Sequence, residues 1–551
     1  MTSMHRKILA TLLGGAFLCA LPASAQKKPR KNLDVDFDMN HIAEPRERKD
    51  AQYYDFFDSS IFEQVQQVFD LPRHFHKKPA YNINAKDEVP DSSWFTNRNG
   101  KARLSLEEAA RGPNRANGPD ITGPWTIVGR KPSGVSPGFR IRDAAGQLYI
   151  VKFDLADFNE MATGAEVVAT KLYWAAGYNT SEVYLVNVPP DILRVGEGAR
   201  IIDANGNEHP MTQQHVTDIM KRVHRRPDGL VRAIAKKFLD GKPKGAFSFV
   251  GVRKDDPNDW YPHEHRRDLR GLRVIASWLN DNDMRERNTL DMYVTEGQRS
   301  YLRHYLIDPG SALGSETLFS NPDRVGFEYI LDWGEIGKSM FSLGLYERPW
   351  EGHTRVVHPS IGYFVSDTFE PQRWKANYPI VAFENMTIGD AYWGAKIVMS
   401  FSDEQIRAIV DSAKYSDPRA AEYLATVLRE RRDRIGRHWY KKAGALDNFR
   451  TSASAGGHAL HFDDLLLHHG FAEPAERTYR FRLVSETGKG SQDWTSLRSL
   501  SAIALPQATA SRSVQVELQA QSAGEREWSP AVTVFLAPVK GAWHVAGWSR
   551  D

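Results

Sequence analysis

Two acids and an amide mark the chemistry this chain could do. Asp283 is followed five positions later by Asn288. Twenty positions further on, Asp308 opens Asp308-Pro309-Gly310 at the end of the apolar run Tyr305-Leu306-Ile307. An acid beside a hydroxyl can accept its proton, while an amide and a second acid can hold a hard divalent cation against a polyphosphate. Upstream, Lys152 stands in Tyr149-Ile150-Val151-Lys152-Phe153, an apolar strand where an ammonium needs a partner or a route to water. Glu166 lies among Ala165, Val167 and Val168, and a Lys152–Glu166 pair would satisfy both charges. Asp281 competes with Asp283, but only Asp283 has the five-residue spacing to Asn288. No single one of these residues is diagnostic; the ordered set points to phosphoryl transfer onto a hydroxyl.

Such residues must be positioned by a framework, and the pattern supplies one. Strands are expected at 125–129, 139–142 and 147–153, the last two joined by a turn at 143–146. The loop 129–138 carries three glycines, two serines and two basic residues, and could lay backbone N–H groups over phosphates. A helix over 158–176 should end at Gly177. Further strands are expected at 183–187 and 231–239, with an insertion between them at 192–229 that contains a hairpin near Asn205-Gly206 and a helix over 213–223. The stretch Gly241 to Gly245 reads as a hinge. Leu269, Leu272, Ile275, Ala276 and Leu279 recur at helical spacing just before the acid cluster. Helices are expected at 403–413 and 418–436, and short alternating strands at 479–484, 513–518, 531–535 and 543–547.

The flanks and the bulk properties bound the function. Residues 1–25 have a basic start, an apolar stretch and a small-residue cleavage site at Ala23-Ser24-Ala25, the pattern of a secretory signal. Cleavage there would remove Cys19, the only cysteine, which excludes disulfide and thiolate chemistry from the mature chain. Export to a periplasm or the extracellular space is the resulting expectation, with no membrane span remaining. The formal net charge of +3 on 551 residues, without a long basic run, argues against nucleic acid as a partner. A helical piece is expected at 61–69, in a segment that packs on the body of the protein. His74 and His76, and the later His458, His461, His468 and His469, lack a frame of further metal ligands and read as structural. His263, His265, Arg266 and Arg267 read as a solvated helix start, with an anion site as the alternative.

The order of strand, glycine-rich loop, Lys152, Glu166, hinge, Asp283, Asn288 and Asp308 resembles the protein-kinase-like fold. It looks closest to the atypical branches: HipA-like kinases, phosphatidylinositol kinases and secretory-pathway kinases. The resemblance covers about residues 120–440. It implies an α+β, two-lobed architecture: a signal peptide at 1–25, an N-terminal arm and extension at 26–120, a β-rich lobe at 121–241, a helical lobe at 242–445, and a small C-terminal antiparallel β domain at 446–551. By position it implies that Lys152 binds the α- and β-phosphates of ATP or another nucleoside triphosphate and pairs with Glu166. Asp283 would orient the substrate hydroxyl, and Asn288 and Asp308 would ligate Mg²⁺ or Mn²⁺. Gly310 would allow the turn that aims Asp308, and adenine would stack near Phe238 to Gly241. The metal motif departs from the family in reading Asp-Pro-Gly, and the glycine loop is irregular. An inactive kinase-like scaffold that docks an envelope protein keeps the same architecture. A metal-dependent hydrolase built on the acids and histidines is a third possibility.

Overall fold

The computed structural model describes residues 35–48, 77–131, 136–202, 207–343, 345–352, 356–454, 457–485, 493–497, 502–508 and 513–550. The signal-like stretch 1–25, the helical piece at 61–69, His74, His76, the tip of the glycine-rich loop and the Asn205-Gly206 turn lie outside these residues.

The fold is α+β, with five sheets among the described residues. The strands that carry Lys152 and its neighbours are β1 (Trp125–Arg130), β2 (Gly138–Arg142), β3 (Leu148–Phe153), β4 (Asn179–Thr180), β5 (Val183–Val188) and β6 (Leu193–Val195). A short ribbon follows, β7 (Arg200–Ile202) with β8 (Glu208–Pro210), and then β9 (Val231–Lys237). Six of them form one sheet in the order β5-β9-β3-β2-β1-β6, antiparallel except for the β1–β6 edge. Strand alternation gives this sheet two apolar faces. Phe139, Ile141, Tyr149, Val151, Ala233 and Ala235 look outward and are covered by Met211, Val216 and Met220 of the 190–223 insertion. Ile234 and Val183 look inward, onto helix α1 (Met161–Ala176).

Helix α1 is buried along almost its whole length and stops at Gly177, whose φ of 127° suits a glycine. It starts at Met161 rather than 158, because Glu160 takes a left-handed conformation. A second sheet, in the order β10-β11-β12-β4, contains β10 (Lys242–Pro243) and the hairpin of β11 (Thr289–Glu296) and β12 (Arg299–Leu306). Because β12 runs parallel to β4, with Tyr305 opposite Asn179, the end of α1 is tied to the strand that leads to Asp308.

Helices make the rest of the main core. They are α2 (Arg267–Leu279), α3 (Ile388–Met399), α4 (Asp403–Asp411) and α5 (Pro418–Ala443). Leu269, Leu272, Ile275, Ala276 and Leu279 of α2 are fully or almost fully buried, the stripe expected from their spacing, and Trp278 is buried with them. Asn280 then adopts the left-handed conformation (φ 50°) and turns the chain into the acid cluster. The buried Arg431 of α5 caps this helix end: its Nε donates to Trp278 O at 2.9 Å, Nη2 to Ser277 O, and Nη1 to Val365 O at 2.7 Å. Helix α5 runs through Gly436, where the sequence reading stops it. That glycine gives contact room: a Cβ there would meet Met399 Sδ at 2.5 Å. Beyond it, two sheets follow. One joins Leu446–Ser454, Gly457–Asp464 and Ile503–Leu505; the other has five antiparallel strands between Arg477 and Ser549. Strands therefore begin at Leu446, earlier than the alternation at 479 suggests.

Among the described residues, no helix is long and apolar enough to cross a membrane.

Candidate active site

Lys152 lies on the inward face of β3, almost fully buried. Its Nζ is 2.8 Å from Glu166 Oε2 on α1 and also contacts Asp308 Oδ1. The other oxygen of Glu166 holds a second lysine, with Lys236 Nζ at 2.6 Å from Oε1. Lys236 reaches it because β3 and β9 place Lys236 opposite Ile150, two residues from Lys152 on the same face. Lys131, at the described edge of the glycine-rich loop, donates to Ser136 Oγ and faces the same group. Two ammonium groups thus contact two carboxylates, with a third, Lys131, near enough to feel their charge.

Burial alone would raise the Asp308 carboxyl, but Lys152, Lys236 and Lys131 outweigh it and hold the acid well below the usual range. Burial alone would lower the Lys152 ammonium, but Asp308 and Glu166 hold it above its ordinary value. Lys131 is pushed down to about 8 by burial, with the Lys152 charge acting in the same direction. Asp308 itself supplies the left-handed turn, at φ 60°, and Gly310 does not adopt a positive φ. The turn role expected for Gly310 therefore belongs to Asp308, a residue type that tolerates this conformation better than most. A Cβ at Gly310 would sit 3.4 Å from Glu166 Oε2, in ordinary contact.

The loop after α2 faces this group. Asn288 Nδ2 donates to Asp283 Oδ2 at 2.9 Å and to Asp283 O at 2.7 Å. Arg285 Nε stands 2.8 Å from Asp283 Oδ1. Burial raises the Asp283 carboxyl, opposed by Arg285 and Asn288 and reinforced by the charge of Asp308. Asp281 is more deeply buried and accepts a 2.9 Å hydrogen bond from Tyr173 of α1; burial pushes its carboxyl up to about 8. Asp283 is thus the more accessible of the two acids. Main-chain bonds lock the two halves together: Ile307 N donates to Asn288 O at 2.8 Å, and Leu313 N to Leu279 O at 2.8 Å. Buried Asn282 adds to this, accepting from Asn377 and donating to Glu316 Oε2 at 3.0 Å.

Lys152, Glu166 and Asp308 are therefore in contact, and Asp283 and Asn288 bond to each other beside them. Phe238 and Gly241 line a separate cavity of about 1230 Å³ whose lining includes none of these five residues. Lys236, Lys131 and Arg285 are additions of the structure. A basic residue two positions after Asp283 was visible in the sequence; the convergence of Lys236 depends on strand register and was not.

Among the described residues, no group of three or more His, Cys, Asp or Glu side chains is placed to cage a metal. His461 meets Ser452 Oγ at 2.8 Å, and His469 stacks on Phe471. The expectation of a solvated helix start at 263–267 is overturned. His263, Arg266 and Arg267 are buried, because Asp259, Asp268, Asp87 and Asp390 pair with them.

No family model and no curated protein matches the chain in sequence. In structure it is similar to the Helicobacter pylori proinflammatory kinase CtkA, with 13% identity and a TM-score of 0.30 over 56% of this chain and 94% of that one. It is also similar to the Golgi casein kinase, with 11% identity and a TM-score of 0.31 over 75% and 94%. The Mn/ADP-bound form of the latter matches with a TM-score of 0.29 at 11% identity, over 73% and 94%. Scores of this size carry no argument about activity or substrate, so the functional reading stands on the cleft.

Proposed function

We propose that the protein is an exported, two-lobed, kinase-like phosphotransferase that moves the γ-phosphoryl group of a nucleoside triphosphate to a hydroxyl. The observation that carries this is Lys152 bridging Glu166 and Asp308, with Asp283 and Asn288 on the facing loop. Glu166 orients the ammonium, which binds the α- and β-phosphates. Lys152 then stands where it can exchange its contact with Asp308 for one with the nucleotide. Asp283 accepts the hydroxyl proton as the substrate oxygen bonds to the γ-phosphorus and the bond to the β-phosphate oxygen breaks. Arg285 holds the Asp283 carboxylate in place.

The donors fit Mg²⁺ or Mn²⁺. Asp308 and Asn288 offer hard oxygens beside Asp283, and the acid is ionised across physiological pH. Such ions are held by one or two carboxylates and complete their shell with phosphate and water. When bound, the ion would offset the charge gathering on the phosphates.

The test is calorimetric titration of the full chain with ATP and GTP in Mg²⁺ or Mn²⁺. Binding is expected, and Asp308→Ala should abolish it. No binding with either metal would contradict the proposal. One observation favours a non-catalytic binding protein instead: both oxygens of Asp283 are engaged, by Arg285 and Asn288. That reading expects nucleotide to bind without any transfer, and capture of an envelope partner that survives Asp283→Ala.

A further inference from the structure

The 1230 Å³ cavity lined by Phe238 and Gly241 has walls from several parts of the chain. They include the N-terminal segment at Arg98, the stretch that holds Arg115, the end of α1 at Trp174, the connection 237–242, and the β11–β12 hairpin at Glu296, Arg303 and Tyr305. Six lysines and arginines line it against four acids. The acids are largely spoken for. Asp91 accepts from the Asn97 main chain and side chain, Glu182 from Tyr184, and Glu296 from Tyr301 and Arg303.

Of the cations, Arg303 pairs with Glu296 at 2.8 Å, Lys242 with Glu44 at 2.6 Å and Lys237 with Glu182 at 3.5 Å. Among the described residues, Arg98 has no carboxylate within ion-pair distance. Its Nη1 donates to the main-chain carbonyls of Trp174 at 2.7 Å and Tyr178 at 3.1 Å, and its guanidinium lies 4.9 Å from the Trp174 ring centre. Burial pushes the Arg98 guanidinium down to about 10, opposed by the charge of Asp91 and reinforced by that of Arg303. Tyr305 lies between the fields of Arg303 and Arg115. Arg115 is 73% exposed along its side chain, and its ion-pair contact with Asp240 is long at 3.8 Å. A guanidinium held only by main-chain carbonyls, in a cavity whose lining cations outnumber its acids, would gain from an anion seated beside it.

We propose that this cavity is a binding site for a small molecule carrying two or more oxyanion groups, gripped by Arg98 and Arg303 with Arg115 at the rim. Its volume accommodates a ligand of nucleotide size or smaller. The site is separate from the lysine–carboxylate cleft and does not depend on the activity proposed for it.

The test is calorimetric titration of the full chain with two probes, inorganic pyrophosphate and citrate. Arg98→Gln and Arg303→Gln should each weaken binding about tenfold or more. Lys152→Met, in the other cleft, should change it less than about twofold. Because Arg98 also braces two carbonyls, Arg115→Gln serves as the variant with little structural risk, with a loss of a few-fold expected. Binding of pyrophosphate alone supports a phosphate ligand, and binding of both probes supports a general polyanion. Absence of binding by both probes to the unaltered protein overturns the proposal. So does binding that survives Arg98→Gln and Arg303→Gln but is lost in Lys152→Met.

Discussion

Two of the groups of buried charge among the described residues are built differently. One is a chain of eight alternating charges: Glu88, Lys396, Asp447, Arg550, Asp87, Arg267, Asp390 and Arg270. It ties the N-terminal segment, helices α2 and α3 and the C-terminal sheets together. Four cations meet four carboxylates, and the links Arg267–Asp87, Arg550–Asp87 and Lys396–Asp447 measure 2.6, 2.9 and 2.9 Å. The other group is the cleft, where Lys152 and Lys236 meet Glu166 and Asp308 with Lys131 nearby, and where the Asp308 side chain stays 36% exposed. A balanced, closed network can only hold parts together. A network with excess positive charge and an accessible acid is open to a ligand that carries both phosphates and a metal ion.

The largest effect should come from cutting the closed chain. Arg550→Met leaves Asp87 and Asp447 short of a buried partner and should cost about 3–5 kcal/mol by denaturant unfolding. Nucleotide binding should persist wherever the variant is folded. If the cost were under about 1 kcal/mol, the contrast between the groups would fail.

Lys152→Met should cost less, about 1–2 kcal/mol, because Glu166 keeps Lys236 and the excess of positive charge falls. Its nucleotide affinity should nonetheless drop at least about tenfold, a split that calorimetry and unfolding together would read.

Acid sharpens the comparison. Burial opposes ionisation of Asp447, but Lys396 and Arg550 outweigh it and lower its carboxyl from 3.8 to about 2. Between those values the unfolded chain binds more protons, so stability is present above about pH 4 and is lost as pH falls towards 2. The advantage of the wild type over Asp447→Asn should therefore shrink by about 2–3 kcal/mol across that window. A constant difference would mean that the carboxylate charge is not what Asp447 contributes.

The smallest effect belongs to Lys131. Its charge is present below about pH 8 and lost above it. Metal–nucleotide affinity should fall roughly two- to three-fold between pH 7 and 9, and Lys131→Met should flatten that slope. An equal slope in the variant would place Lys131 outside the phosphate site.

The parts of the site that sequence could indicate are those in which one residue betrays a need. A lysine in an apolar strand and a glutamate among small apolar residues each require a partner, and Lys152 and Glu166 are 2.8 Å apart. The apolar stripe of α2 likewise marked a helix and its end. Lys236 could not be read this way, because its place beside Glu166 is a matter of strand register. Strand β11 escaped because Asp291, buried against Arg253 and His304, breaks the apolar alternation. The eight-charge chain was hidden for a plainer reason: its members run from Asp87 to Arg550, and each alone looks like a surface charge. The same holds for Arg267, whose partners Asp87 and Asp390 lie elsewhere in the chain, whereas His263 and Arg266 pair with the nearby Asp259 and Asp268.

The most direct test of the account is a crystal soaked with Mn²⁺ and a non-hydrolysable ATP analogue, with the metal located by its anomalous signal. The account predicts manganese between Asn288 and Asp308, with Lys152 turned from Asp308 to the phosphates and still bonded to Glu166. Manganese bound elsewhere, or phosphates that leave Lys152 on Asp308, would contradict it.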